Sequence, residues 1–92
     1  MTDAINSEHQ IVNEKGLHAR AAAKFVETVE RFDASAEVSF EDRTVSANSI
    51  MGLLMLAASK GTTIQLRAWG PDSAVLTEAV TDLLADGFGE DM

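Results

Sequence analysis

The spacing of apolar residues changes period several times along this chain, and that alternation limits the fold more than any other feature. From Ala19 to Phe32, Ala22, Phe25, Val26, Val29 and Phe32 recur at helical spacing, with Arg20, Lys24, Glu27 and Arg31 on the opposite face. The period then becomes two. Ala36, Val38 and Phe40 alternate with Glu37 and Ser39, and after Glu41-Asp42 the run Arg43-Thr44-Val45 completes a hairpin. Ala47-Asn48-Ser49 offers capping side chains to a second helix, Ile50 to Ala58, which Lys60-Gly61 should end. Thr62 to Trp69 reads as a strand with Ile64, Leu66 and Ala68 on one face. Gly70-Pro71-Asp72-Ser73 then turns the chain and caps a third helix carrying Val75, Leu76, Ala79, Val80, Leu83 and Leu84 to about Ala85. A weakly alternating first strand, Glu8 to Val12, precedes the turn Asn13-Glu14-Lys15-Gly16.

The resulting order is β-α-β-β-α-β-α. It predicts an α+β fold, a four-stranded, mainly antiparallel sheet with three helices on one face. With 92 residues and no internal repeat or linker, residues 1–92 are expected to form a single domain with one modest core. That core should run from about residue 8 to 85, leaving an acidic tail at 87–92.

Composition narrows the function. Fifteen acidic against seven basic side chains give a net charge of −8, which argues against nucleic acid or an anionic membrane as partner. The absence of cysteine excludes disulfides and thiolate zinc sites, and two histidines cannot build a histidine-rich metal site. No metal or cofactor is expected. The first residues lack a basic, apolar leader, and the longest apolar run, Ile50 to Ala58, is too short to cross a bilayer. A cytoplasmic, soluble protein is the expectation. Against the acidic background, Lys15, Arg20 and Lys24 gather around His18, a locally basic spot suited to a small anion.

His18 lies in Gly16-Leu17-His18-Ala19-Arg20, between a chain-bending glycine and the start of the first helix. Helix starts offer unpaired N–H groups and the positive end of a dipole, so an imidazole there could carry a phosphoryl group. By itself the motif also fits a solvated histidine that ends a loop.

Three separated segments carry a resemblance. Gly16-Leu17-His18-Ala19-Arg20, Ser49-Ile50-Met51-Gly52-Leu53 and Lys60-Gly61-Thr62, in this order and spacing, resemble HPr, the histidine phosphocarrier family of bacterial phosphotransferase systems. The similarity covers roughly Glu8 to Ala85 and implies the family's open-faced β-sandwich. It also implies a reaction: His18 accepts a phosphoryl group on Nδ1 from phosphorylated enzyme I, itself charged by phosphoenolpyruvate, and passes it to an enzyme IIA. Arg20 would pair with the phosphoryl oxygens. Such a protein is a carrier component, expected to be monomeric, rather than an independent enzyme. Sugar-transport members usually have proline after histidine-x-arginine, where this chain has Ala21; that departure points to the nitrogen-related branch, NPr.

The second helix has almost no polar face. Ile50, Met51 and Leu54 are therefore expected to form an apolar docking patch near His18, with Lys24 as a further partner contact and Leu53 and Leu56 in the core. Ser49 aligns with the serine that HPr kinase phosphorylates in some bacteria, which implies a regulatory phosphoserine and HPr kinase/phosphorylase as a partner. Read alone, a serine before an apolar helix is an N-cap. His9, in the first strand, should be solvated or packing. Rival readings are a sugar-transport HPr, an α+β regulatory or binding module without phosphotransfer, and an acyl carrier protein modified on Ser49. The strand-like segments oppose the last, because that family is all-helical.

Overall fold

The computed structural model describes residues 4–90. Elements follow the expected order: β1 (Ile5–Gln10), α1 (Ala19–Val29), β2 (Ser35–Phe40), β3 (Arg43–Ser46), α2 (Ile50–Leu56), β4 (Thr63–Trp69) and α3 (Ser73–Ala85), with a closing 3₁₀ turn at Gly87–Gly89. The four strands form one sheet in the order β1-β4-β2-β3. Every pairing is antiparallel: β1 with β4 from Ile5↔Ala68 to Gln10↔Thr63, β4 with β2, and β2 with β3.

Period-two alternation fixes which sheet face is covered, because a one-residue slip would turn every apolar side chain to solvent. Along β4, Ile64, Leu66 and Ala68 are buried while Thr63, Gln65 and Arg67 are exposed. These residues meet Phe25, Val26 and Val29 of α1, Leu53 and Leu56 of α2, and Leu76, Val80 and Leu84 of α3 in a single core. The three helices therefore lie on one face and the other stays polar. That core reaches past the expected limit at residue 85, since Phe88 is 1% exposed and joins the same cluster.

Several boundaries move from their expected positions, each for a local reason. β1 begins at Ile5 because residues 5–10 pair with β4; Ile11 has left the strand but still donates to the Thr62 carbonyl at 2.9 Å. α1 ends at Val29, where the N–H groups of Arg31 and Phe32 turn to the i−3 carbonyls of Thr28 and Val29. Such tightening is a common way to close a helix. Ala57 takes a left-handed conformation, φ 54°, and stops α2 well before Lys60. Asp72 occupies the N-cap position of α3, yet its Oδ2 accepts from the Asp33 N–H at 2.8 Å and makes no side-chain cap bond.

Candidate functional site

The site is built where the chain leaves β1 and enters α1. Asn13 is fully buried, and its Nδ2 donates to the Gly16 carbonyl at 2.8 Å across a turn that the Gly16 N–H closes on the Asn13 carbonyl at 3.2 Å. Gly16 has φ +64°, and a Cβ there would lie 2.6 Å from the Ala58 carbonyl oxygen, so both conformation and space require glycine. That same Ala58 carbonyl accepts from the Leu17 N–H at 2.9 Å, and the Leu17 side chain is buried. The residue before His18 is thus pinned on both sides.

His18 is the N-cap of α1. Its backbone is extended and its carbonyl accepts the first helical bond, from Ala22 N–H at 2.8 Å. The ring makes no capping bond to the helix. Instead Nε2 is hydrogen-bonded to Oε2 of Glu90, whose other oxygen, Oε1, accepts from Asn13 Nδ2 at 3.0 Å. Among the described residues nothing is hydrogen-bonded to Nδ1. Side-chain exposure is 26% for His18 and 13% for Glu90, so the ring is reachable and its carboxylate partner is largely covered.

Beside the ring a recess is lined by Glu14, Lys15, Arg20, Lys24, Gly89 and Glu90. Arg20, on the first turn of α1, is exposed, and one helical turn on, Lys24 donates from Nζ to the Phe88 carbonyl at 2.5 Å. Partial burial raises the Glu90 carboxyl, but hydrogen bonds from Asn13 and His18, with the positive charges of His18 and Lys15, outweigh it. The group is held below the usual carboxylate range. Three cationic side chains in one recess, next to the helix start that His18 caps, are suited to holding a small anion there.

These features coincide with a family assignment. The family described as "PTS HPr component phosphorylation site" matches residues 5–86. This chain belongs to the HPr family. The phosphocarrier protein HPr of Neisseria meningitidis serogroup A is 48% identical over 81 residues, 88% of this chain and 91% of that one. Phosphocarrier protein NPr of Escherichia coli K12 is 40% identical over 83 residues, 89% and 92% of the two chains. A solved HPr from Thermoanaerobacter tengcongensis superposes with a TM-score of 0.91 at 38% identity, covering 96% of this chain and 99% of its own. The protein is an HPr-type phosphocarrier, and HPr proteins carry phosphoryl groups between enzyme I and enzyme IIA.

The HPr fold distributes the other sequence-selected residues unevenly. Ser49 Oγ accepts from the Gly52 N–H at 3.0 Å and caps α2. Ile50 and Met51 are exposed, at 41% and 68%, whereas Leu54 is half-buried, packed in part against the core. Met55, outside the expected patch, is 66% exposed on the same helix. Leu53 and Leu56 are core residues, as expected. His9 is half-buried on β1, with Nε2 2.8 Å from Ser7 Oγ. Asn13 and Glu90 were missed altogether. Asn13 lay in a segment that resembled any turn, and Glu90 lay in a tail with no periodicity to assign it a neighbour.

Proposed function

We propose that His18 is the phosphoryl acceptor of this carrier, reacting through Nδ1 with phosphorylated enzyme I and passing the group to an enzyme IIA of the regulatory nitrogen-related system. The observation that carries this reading is the ring's own geometry: Nε2 is engaged by Glu90, which also lines the recess of Lys15, Arg20 and Lys24, while among the described residues Nδ1 has no hydrogen-bond partner. A neutral imidazole is the nucleophile; once the group is attached, Arg20 and the first-turn N–H groups of α1 stabilise its oxygens. Acceptance and release must be nearly balanced, because a carrier that held the group too tightly could not donate it.

Ile50, Met51 and Met55 supply the apolar docking surface in this reading, with Lys24 at its cationic edge. Flexible methionines suit a surface shared by several partners. Support for the nitrogen-related branch comes from Ala21, which stands where sugar-transport members usually have proline. The sugar-transport reading has its own support, since relatives named HPr reach 48% identity against 40% for NPr.

One experiment tests both levels: intact mass after incubation with phosphoenolpyruvate, magnesium and each enzyme I of the same cell, beside His18→Ala. The expected result is one acid-labile phosphoryl adduct that the variant lacks, formed fastest with the nitrogen-branch enzyme I. An adduct persisting in His18→Ala would sink the acceptor assignment, and preference for the sugar-branch enzyme I would reverse the branch.

A further inference from the structure

We propose that Glu90 is a positioning residue for phosphoryl transfer: held by Asn13, its carboxylate fixes the His18 proton on Nε2 and so leaves the Nδ1 lone pair free to attack phosphorus. This inference rests on the reading of His18 as acceptor and adds a residue to it.

An ionised carboxylate can only accept, so a hydrogen bond between Glu90 Oε2 and a neutral His18 ring requires the proton to be on Nε2. The ring's remaining nitrogen is then the basic one. Without such a partner a neutral imidazole exchanges between two tautomers, one of which has its proton on the atom that must react. Glu90 is itself constrained. Oε1 takes a hydrogen bond from the buried Nδ2 of Asn13, which also ties the loop before His18 through the Gly16 carbonyl. Behind Glu90, the Phe88 side chain is buried in the core and the Phe88 carbonyl is held by Lys24. The carboxylate is therefore delivered by an anchored segment to a ring anchored from the other side.

The charge balance of the step gives that carboxylate a second task. As the Nδ1 lone pair forms the new nitrogen–phosphorus bond, the phosphorus–donor bond breaks and its electron pair returns to the donor. No proton leaves His18, so the ring acquires positive charge with its proton still on Nε2, shared with Glu90. A carboxylate already in place offsets that charge without reorganisation. The opposite role, a carboxylate that blocks the anion recess, predicts the opposite sign on removal.

The test compares wild type with Glu90→Ala and Glu90→Asp. Nitrogen NMR of the ¹⁵N-labelled His18 ring reports the tautomer, and steady-state phosphorylation by enzyme I and phosphoenolpyruvate reports kcat and KM. Expected are a dominant Nε2–H tautomer in wild type, a mixed population in Glu90→Ala with kcat lowered on the order of tenfold and KM unchanged, and partial recovery in Glu90→Asp. A Glu90→Ala protein phosphorylated at the wild-type rate or faster, or one with the wild-type tautomer balance, overturns the proposal. Should wild type accept no phosphoryl group from any enzyme I, the acceptor reading fails instead, and the tautomer comparison alone decides whether Glu90 sets the ring.

Discussion

Gly16 shows how one residue positions chemistry it does not touch. Its left-handed backbone lets the loop fold back on Asn13, and its missing side chain lets the chain pass against the Ala58 carbonyl that fixes Leu17. Gly16→Ala places a Cβ 2.6 Å from that oxygen in a conformation L-residues avoid. We expect it to cost about 2 kcal/mol or more in urea unfolding and to slow phosphorylation of His18, because the strain is relieved only by moving Leu17 and the ring after it. Rapid phosphorylation by a fully stable Gly16→Ala would mean that the loop does not position the ring. The glycine and histidine were legible in the sequence because both stand beside a helix start. Asn13 was not: its importance comes from being buried under Glu90, a residue at the far end of the chain, and no local pattern encodes that meeting.

At the scale of elements, sequence patterns gave the type and order correctly because each strand and helix has one covered face. Where they failed was at ends decided by tertiary partners. The second helix was expected to run to Ala58, but its chain reverses at Ala57 so that Ala58 can turn inward, become buried and offer its carbonyl to Leu17. Arg43 of β3 takes up part of the slack, donating from Nη1 to the Met55 carbonyl at 2.8 Å near the helix end. Capping by Ser49 and close approach to Val45, whose Cβ would lie 3.0 Å from a Cβ at position 52, hold this short helix with Leu53 and Leu56 inward. Ile50, Met51 and Met55 are left outside. Met51→Glu introduces a charge on a side chain that is 68% exposed, so the melting temperature should stay near that of wild type. Phosphorylation by enzyme I should nevertheless slow, by about tenfold for a residue central to an interface, through a raised KM. An unchanged KM would remove α2 from the docking surface.

For the whole molecule, the acidic balance of −8 makes stability sensitive to pH, and His9 and Glu90 act on that dependence differently. His9 lies half-buried at the edge of the sheet in a recess with Glu8, Gln10, Val12, Thr81, Leu84 and Ala85. Glu8 is the charged group there. Burial pushes the His9 imidazole below its ordinary value of 6.5, because the protonated ring loses solvation it would keep in the unfolded chain. As pH falls through that ordinary value the unfolded chain binds the proton first, so stability declines until pH passes below the folded value and both states are protonated. The contribution is complete above the ordinary value. Glu90 acts lower on the scale: its folded carboxyl is held below the unfolded one, so its contribution is present above the unfolded value and lost as pH falls through the folded one. His9→Gln should therefore flatten the first decline and leave the second, while Glu90→Ala should do the reverse. Urea midpoints measured from about pH 7.5 down to about pH 3 would separate the two. If His9→Gln leaves the curve unchanged above the carboxylate range, the imidazole is as well solvated in the fold as in the unfolded chain, and the decline belongs to other groups.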